Sequence, residues 1–363
     1  MKTTKIALIG CGRIAGHHAK SIAEIPAVEL SAVCDLVEEK ANNYSKQYSV
    51  PHFSNYHKML RELPEIDVVA IITPSGMHYE HALDVMENYG KHLIVEKPTF
   101  LKPSQVQEVF ERSRKKNLGV FPVFQNRHNL AVQRVRKGLQ NGELGKIRAV
   151  SVRVRWCRPQ SYYNLAPWRG TFSQDGGAIT NQGIHHIDLL RYFGGEVKRV
   201  CSKMVTLGAQ IEVEDTCVAT VEFESGAVGA IEITTAARPK DYEASLSIVC
   251  ENGLAQLGGI AVNELQTYTP DPSACSLHSE NFGEIVYGNG HKELYREIAA
   301  YFDEQKPFSV SPDDCLNTIR LLNGFYKSDE LGTWVDISSK PESSRLGRPN
   351  EELANLYRTQ ESL

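Results

Sequence analysis

The first third of the chain combines continuous apolar runs with amphipathic stretches between them. Runs such as Val68–Ile72 lack polar alternation, which is typical of strands covered on both faces. Strands that alternate with helical patterns predict βαβ units around a parallel sheet. We therefore predict a doubly wound α/β domain over residues 1–124. Its strands are expected at 5–10, 28–35, 67–73, 92–98 and 119–124, and its helices at 17–25, 37–48, 79–87 and 104–116.

The pattern changes after residue 124, where longer strands with hairpin signals replace the βαβ alternation. The turn residues at 224–227 and 251–253 each separate two strand-like runs, which favours antiparallel pairing. We predict an α+β domain over residues 125–337 with an open, mostly antiparallel sheet. Its helices are expected at 181–193, 291–304 and 313–328. A polar tail over 338–363, weakly amphipathic at 351–357, is expected either to be disordered or to dock on a partner subunit.

Composition narrows the function classes. The 363 residues suit two domains, and a formal net charge of -4 provides no electrostatic footprint for nucleic acid. Membrane insertion is not expected, because no apolar stretch approaches the roughly 18 to 20 residues that span a bilayer. The eight cysteines are scattered without a CxxC pair, which predicts reduced thiols and no metal site. We expect a cytoplasmic protein, since the N-terminal residues do not have the pattern of a signal peptide.

A glycine-rich loop directly follows the first predicted strand. Gly10, Gly12 and Ala15 match the GxGxxG/A pattern and open a predicted helix. Gly10 permits a tight turn, Gly12 lets the backbone approach a pyrophosphate, and the helix N-terminus offers N–H groups to the phosphates. We predict a dinucleotide site that also includes Arg13 and Ile14.

The second strand supplies a matching acidic residue. It ends at Asp35, about twenty residues after the loop, where a carboxylate binds a ribose diol. The following residue is the apolar Leu36 instead of an arginine that could pair with a 2′-phosphate, which favours NAD over NADP. The alternative is a structural turn combined with an unrelated surface aspartate.

The ends of the third and fourth strands should lie at the same crevice. We predict that Thr73 and Pro74 contact the nicotinamide ribose, whereas His78 is a weaker candidate because a histidine at a helix start is more often structural. Lys97 follows Glu96 at the end of the fourth strand, so both residues are predicted beside the nicotinamide. The ammonium group of Lys97 could stabilise an alkoxide or transfer a proton. The alternative for Lys97 is a surface lysine in a turn.

These motifs together resemble the glucose-fructose oxidoreductase/inositol dehydrogenase (Gfo/Idh/MocA) family over about residues 3–335. The resemblance implies a Rossmann domain, NAD as cofactor and dehydrogenation of a sugar or polyol. The segment 175–188 is similar to a family motif whose histidine falls on His185, which implies that His185 is a general base and Lys97 its catalytic partner. Asn181 stands where the family has an aspartate. An amide can orient the substrate by hydrogen bonds but cannot relay a proton. His185 and Lys97 are therefore expected to carry out the acid–base catalysis, and the sequence does not assign which of them takes the proton.

Four short strings, at 125–129, 156–159, 168–171 and 181–183, resemble the branch of the family that oxidises C3 of UDP-N-acetylglucosaminuronate (UDP-GlcNAcA). That branch acts in the biosynthesis of surface polysaccharides such as O-antigen. Arg158 and Arg169 are candidates to bind the sugar carboxylate or the diphosphate, and Trp168 is a candidate wall of the pocket. The competing interpretation is that both arginines are solvated and that Trp168 only packs.

The resemblance also has implications for partners and leaves rival functions open. It implies a dimer or tetramer formed through the open sheets, and 2-oxoglutarate is a candidate acceptor for the hydride because relatives use it. The rivals are a dehydrogenase of another sugar or inositol, an NAD-dependent glycosidase and an NAD-sensing regulator. The presence of both Lys97 and His185 disfavours the regulator.

Overall fold

The computed structural model describes residues 3–282 and 288–359. The chain divides into two compact units. The first unit comprises Met1–Val123, His291–Leu316 and Pro349–Leu363, and the second comprises Phe124–Gly290 and Asn317–Arg348. Two segments from the C-terminal part of the chain therefore pack with the N-terminal residues, although their sequence patterns do not indicate this.

The first unit is built on a six-stranded sheet with the order β3-β2-β1-β4-β5-β6. Its strands are β1 (Thr4–Ile9), β2 (Val28–Cys34), β3 (His52–Phe53), β4 (Val68–Ile71), β5 (His92–Val95) and β6 (Val120–Pro122). Its N-terminal helices are α1 (Ala15–Ala23), α2 (Glu38–Tyr48), α3 (Tyr56–Glu62), α4 (His78–Tyr89) and α5 (Pro103–Lys116). Each neighbouring strand pair is parallel, which confirms the predicted doubly wound sheet.

The continuous apolar runs form the centre of this sheet. All four residues of β4 are buried, and β4 pairs with β1 from Ile6↔Val68 to Ile9↔Ile71. The strand order reverses between these two strands, so the crevice at their carboxyl ends is the expected ligand site. Leu294 and Tyr295 of the C-terminal segment pack into the same hydrophobic core.

Two short elements of the first unit were not predicted. Strand β3 has two residues and α3 has seven, which is too short for a hydrophobic period to emerge. The start of α3 is fixed instead by a local cap, since the side chain of Asn55 accepts a hydrogen bond from the backbone N of Lys58 at 3.1 Å.

The second unit contains an eight-stranded sheet with the order β13-β12-β11-β7-β10-β9-β8-β14. Its strands are β7 (Ile147–Arg155), β8 (Val197–Val205), β9 (Thr216–Phe223), β10 (Val228–Thr234), β11 (Glu243–Cys250), β12 (Leu254–Gly258), β13 (Glu264–Tyr268) and β14 (Val335–Asp336). Strands β7 and β10 pair in parallel, and the other neighbours in the described sheet pair antiparallel. Both predicted hairpins, β9–β10 and β11–β12, are present, and the mostly antiparallel sheet is confirmed.

The helices of the remaining chain differ in part from expectation. They are α6 (Leu130–Gln140), α7 (Gln160–Tyr163), α8 (Ile184–Gly194), α9 (Ala274–Leu277), α10 (Gly290–Asp303), α11 (Pro312–Leu331) and α12 (Glu351–Asn355). Helix α6 was not predicted, although it buries Val132 and Val135 on one face. Helix α8 starts later than predicted because residues Ala178–Gln182 form a π-helical turn before it.

The described part of the C-terminal tail packs on its own chain. Leu346 is fully buried, and Gly347 N donates to Phe172 O at 2.8 Å within the second unit. In the first unit, the Nε and Nη2 atoms of Arg358 bind the two carboxylate oxygens of Glu80 at 2.6 and 2.8 Å. A bidentate pair of this kind fixes both position and orientation.

All eight cysteines are free thiols. Within residues 3–282 and 288–359, no helix is both long enough and apolar enough to cross a bilayer.

Candidate cofactor and active site

The glycine loop of the first unit has the shape that a dinucleotide requires. Gly10 has a φ of 102°, and a Cβ there would lie 2.5 Å from the carbonyl oxygen of Ile72, so only glycine fits. A Cβ on Gly12 would have no atom within 4 Å, which leaves open space where a pyrophosphate could approach. Helix α1 follows, and its first turn contains no acidic residue, so its N–H groups favour an anion. Arg13 is exposed beside Gly12, and Ile14 is the N-cap residue.

Asp35 is tied directly to this loop. Its Oδ2 atom accepts a hydrogen bond from Cys11 N and its Oδ1 atom accepts one from Val37 N, both at 2.8 Å. The neighbouring Leu36 is 42% exposed and carries no charge that could pair with a 2′-phosphate. The loop, the start of α1 and Asp35 therefore together fit NAD, with pyrophosphate at the helix and a ribose at the carboxylate.

The ends of β4 and β5 are joined by a buried histidine. His78 is 1% exposed, with Nε2 2.9 Å from Thr73 O and Nδ1 2.9 Å from Pro98 O. Burial lowers the pKa of His78 although both carbonyl contacts raise it. Since both ring nitrogens face the backbone, this placement favours a supporting role over the predicted cofactor contact. The Oγ1 atom of Thr73 lies 3.0 Å from Nδ1 of His81, and Pro74 begins the next turn, half-buried.

Lys97 follows β5 and precedes a cis peptide bond to Pro98. The backbone N of Lys97 donates to Oε2 of Glu96 at 2.9 Å, and Glu96 itself is only 5% exposed. Burial raises the pKa of Glu96, but hydrogen bonds from His18 and His291 hold it well below its ordinary range. The predicted cofactor residue Glu96 is thus a buried carboxylate beneath Lys97.

The two histidines that hold Glu96 were not predicted. His18 lies on the buried face of α1, and His291 lies 195 residues beyond Glu96 in the chain. The position of His18 on the helix next to the glycine loop was an available signal. No local pattern could have indicated His291, because only the fold brings it to Glu96.

In the second unit, the π-helical turn presents Asn181 and leads into His185. The amide Nδ2 atom of Asn181 donates to Oδ1 of Asp175, which is 1% exposed, and Oδ2 of Asp175 accepts from Gly170 N at 2.7 Å. The carboxylate therefore orients the Asn181 amide. This role of Asp175 was not predicted from the sequence. The available signal was that Asp175 lies only six residues before Asn181.

His185 and His186 occupy different environments. His185 is 8% exposed, and its ring stands edge-on to Phe124 with centroids 6.5 Å apart. His186 is 1% exposed and packs edge-on against Trp156 at 5.9 Å. Burial lowers the pKa of His186 to about 4, so its ring is neutral at physiological pH. His186 is a packed core residue, and His185 is the more accessible of the two.

A second buried carboxyl group supports the π-helical turn. The Oε1 atom of Glu214 accepts from Ile179 N at 3.2 Å and from the Tyr326 hydroxyl at 2.9 Å. The same hydroxyl lies 2.7 Å from Oγ1 of Thr180. A Cβ on Gly177 would lie 2.1 Å from the Glu214 carboxyl group, so any larger residue there would displace that carboxyl group. Burial raises the pKa of Glu214 to about 7. Sequence reasoning also missed this group.

The predicted substrate arginines share one aromatic neighbour. The guanidinium carbon of Arg158 lies 5.5 Å from the centre of the Tyr162 ring, and that of Arg169 lies 4.3 Å from it. Arg169 also lies 4.6 Å from the Trp168 ring centre. Arg158 forms an ion pair with Asp241 at 2.9 Å. Within the described residues, Arg169 makes no ion pair, and its Nε atom is buried without a hydrogen-bond partner.

Other charged residues near these motifs are structural. Arg127 binds the Asp188 carboxylate through Nε and Nη2, both at 2.7 Å, and both side chains are almost fully buried. Asp188 also accepts from Thr318 Oγ1 at 2.9 Å. Arg155 binds Glu232 across the sheet at 2.6 and 3.0 Å, so it does not join Arg158 and Arg169.

Comparison with known proteins agrees with both units. The profile of the oxidoreductase family with an NAD-binding Rossmann fold matches residues 4–124, and that of the GFO/IDH/MocA C-terminal domain matches residues 132–256. The chain belongs to the GFO/IDH/MocA family. As a member of this family it is an NAD-dependent oxidoreductase, and the cofactor predicted from Gly10, Gly12 and Asp35 is confirmed.

Three similar GFO/IDH/MocA proteins bear on the reaction. The WlbA dehydrogenase of Bordetella pertussis, solved with NADH and UDP-GlcNAcA, is 32% identical with a TM-score of 0.86, covering 92% of this chain and 98% of that one. The WlbA dehydrogenase of Chromobacterium violaceum, with the same two ligands, is 31% identical with a TM-score of 0.84, covering 93% and 96%. D-glucoside 3-dehydrogenase of Escherichia coli is 26% identical, covering 92% of this chain and 97% of that one.

Proposed function

We propose that this protein oxidises the C3 hydroxyl of UDP-GlcNAcA to a ketone, with NAD as hydride acceptor, in the biosynthesis of amino sugars for surface polysaccharide. The observation that carries the proposal is the position of Arg169. Its guanidinium stacks on Tyr162 and Trp168 and has no carboxylate partner among the described residues. A half-buried cation without an anion is costly, and the UDP-GlcNAcA bound by the WlbA dehydrogenases contains both a carboxylate and a diphosphate.

The first unit would hold the cofactor through the glycine loop, the N-terminus of α1 and Asp35. When bound, NAD accepts the hydride from the carbon that carries the reacting hydroxyl. Asp35 and the uncharged Leu36 would set the preference for the ribose diol of NAD.

We assign the acid–base roles to His185 and Lys97. His185 takes the proton of the C3 hydroxyl, since histidine is the side chain that most often serves as a general base. The Lys97 ammonium stabilises the negative charge that develops on the same oxygen. Asn181, oriented by Asp175, donates or accepts a hydrogen bond that aligns the sugar. With the hydroxyl proton on His185 and the hydride on the bound cofactor, the sugar would lose two hydrogens.

Substrate recognition would depend on the cluster around Tyr162. Arg169 binds the sugar carboxylate or the diphosphate in two-point geometry, and Trp168 forms an apolar wall. The charge of Arg158 is already balanced by Asp241, so Arg158 makes a smaller electrostatic contribution than Arg169.

Incubation of the purified protein with UDP-GlcNAcA and NAD tests this proposal. We expect NADH absorbance to rise and the nucleotide sugar to lose two hydrogens by mass spectrometry. Arg169→Ala should raise KM at least about tenfold, since a lost charged hydrogen bond costs about 1.5–3 kcal/mol. The control Arg155→Ala removes an arginine paired with Glu232 on the sheet and should leave KM within about twofold. An unchanged nucleotide sugar would refute the substrate.

A dehydrogenase of a neutral glycoside is the second candidate, supported by the similarity to D-glucoside 3-dehydrogenase. It predicts faster NADH formation with a methyl glucoside than with UDP-GlcNAcA, and no effect of Arg169→Ala. An NAD-dependent glycosidase would instead cleave an aryl glycoside without net NADH formation.

We further propose a dimer or tetramer that pairs the open sheets. Strands β9, β10 and β11 of the same sheet, with β7 between β10 and β11, expose Val218, Val228 and Val249, each at least 43% accessible, and such apolar groups favour a partner surface. Light scattering that gives the mass of a monomer would exclude this assembly. The proposal that 2-oxoglutarate reoxidises bound NADH predicts 2-hydroxyglutarate as a product.

A further inference from the structure

The Glu96 carboxylate is held on both oxygens in the core of the first unit. Its Oε1 atom lies 3.0 Å from Nε2 of His18 and 3.4 Å from Nε2 of His291. Its Oε2 atom accepts the backbone N–H of Lys97 at 2.9 Å. A buried carboxylate with N–H donors on both oxygens has one orientation, and one of these donors belongs to Lys97 itself.

The protonation of this cluster follows from its partners. Nδ1 of His18 lies 2.7 Å from the hydroxyl of Tyr295, and burial raises the pKa of Tyr295 well above its ordinary range. Because the ionised Glu96 carboxylate only accepts hydrogen bonds, the Nε2 atom of His18 that faces it carries a proton. Burial lowers the pKa of His291, so its neutral ring also donates from Nε2. Glu96 thus accepts an N–H from each of the two histidines.

This arrangement constrains Lys97 from both directions along the chain. Before it, Glu96 binds the Lys97 N–H, and after it His78 contacts Pro98 O at 2.9 Å. We propose that His18 and His291 are positioning residues for Lys97, acting through Glu96.

This inference depends on the proposed function, because it treats Lys97 as the residue that meets the reacting oxygen. It differs from a metal site built from the same side chains. The ligand atoms of His18, Glu96 and His291 all lie within 4.8 Å of one another, so geometry alone permits a cation there. A bound cation would require both Nε2 atoms to be unprotonated, whereas the proposal requires an N–H on each.

The experiment compares three variants of the full-length protein. His291→Phe keeps a ring but removes the donor, and His291→Gln restores an N–H donor. The matched control is His92→Phe, since His92 begins the same strand β5 at the opposite end from Glu96, where its Nδ1 accepts from Gly119 N at 2.8 Å. Each variant is assayed for kcat, KM, the dissociation constant of NAD and thermal unfolding.

We expect His291→Phe to lower kcat by about tenfold to a hundredfold, as small displacements of reacting groups do, with the dissociation constant of NAD within about threefold. His291→Gln should recover most of kcat, and His92→Phe should keep it even where Tm falls. Equal losses of kcat in His291→Phe and His92→Phe, or no recovery in His291→Gln, would overturn the proposal. So would one equivalent of metal in the purified protein by elemental analysis.

A spectroscopic measurement separates this inference from the proposed function. The lysines are converted to isotope-labelled dimethyl-lysines and observed by NMR. The resonance of Lys97 is assigned as the one that is absent from the spectrum of Lys97→Arg. His291→Phe should shift this resonance and His92→Phe should not, with or without a sugar substrate. An unshifted resonance overturns the inference, whereas an inactive wild-type protein with a shifted resonance overturns only the substrate.

Discussion

Replacing Glu214 by glutamine removes a buried titratable group beneath the turn that presents Asn181. Burial raises the pKa of Glu214 to about 7 from an ordinary 4.5. At about 1.4 kcal/mol per pH unit, this gap corresponds to about 3 kcal/mol of differential stability. Glutamine has nearly the same shape and can accept the hydrogen bonds from Ile179 N and Tyr326 through its carbonyl oxygen.

The sign follows from proton binding. The folded protein holds the Glu214 proton more tightly than the unfolded chain does, so its stabilising effect is complete below pH about 4.5. That effect is lost as the pH rises to about 7 and stays lost above it. Glutamine has no such proton. The free energy of unfolding of Glu214→Gln minus that of the wild type should therefore increase between these two pH values, by up to about 3 kcal/mol, and then level off.

Urea unfolding followed by circular dichroism at a series of pH values measures this difference, and subtraction cancels the other titrating groups. The control is Glu224→Gln, because Glu224 is exposed in the β9–β10 turn and should give a flat difference curve. A difference between Glu214→Gln and wild type that does not change with pH would refute the reasoning.

Three further predictions concern the site. Lys97→Ala and His185→Ala should each lower kcat by orders of magnitude while the dissociation constant of NAD, measured by calorimetry, changes little; near-normal turnover would remove that residue from the mechanism. Asp35→Ala should reduce the ratio of kcat/KM for NAD to that for NADP, and an unchanged ratio would contradict the assignment of Asp35 to the ribose. Asp175→Asn should lower kcat by about tenfold at unchanged NAD affinity, since the Asn181 amide loses a charged acceptor; steady-state kinetics that match the wild type would exclude this role.

The parallel sheet was predictable because buried strands appear in the sequence as continuous apolar runs. The four residues of β4 are all apolar and all buried, and the glycine loop and Asp35 follow their strands directly. Strand β3 was not predictable in this way, since two residues are too few to form an apolar run or a hydrophobic period. The start of α8 was misplaced because a π-helical turn shifts the register of the side chains, which a pattern of 3.6 residues cannot represent.

The supporting groups of the site could not be predicted for a different reason. His291 meets Glu96 across 195 residues, and Tyr326 meets Glu214 across 112. Such contacts depend on the completed fold and not on neighbouring residues. Sequence proximity also does not determine which arginines share a surface, since Arg155 lies close to Arg158 in the chain but pairs with Glu232 on the next strand.

The first unit is discontinuous, since His291–Leu316 and Pro349–Leu363 complete it. During synthesis, the glycine loop and β1–β6 leave the ribosome long before Leu294 and Tyr295, which fill their core. Until residues 291–316 are synthesised, the N-terminal part of this unit exposes apolar surface. Bringing the two segments together also has an entropic cost, because a long stretch of chain separates them. A fragment that ends at Val123 should therefore bind NAD poorly. Adding residues 291–316 as a separate peptide should restore the solubility of this fragment at a lower peptide concentration than it restores the affinity for NAD.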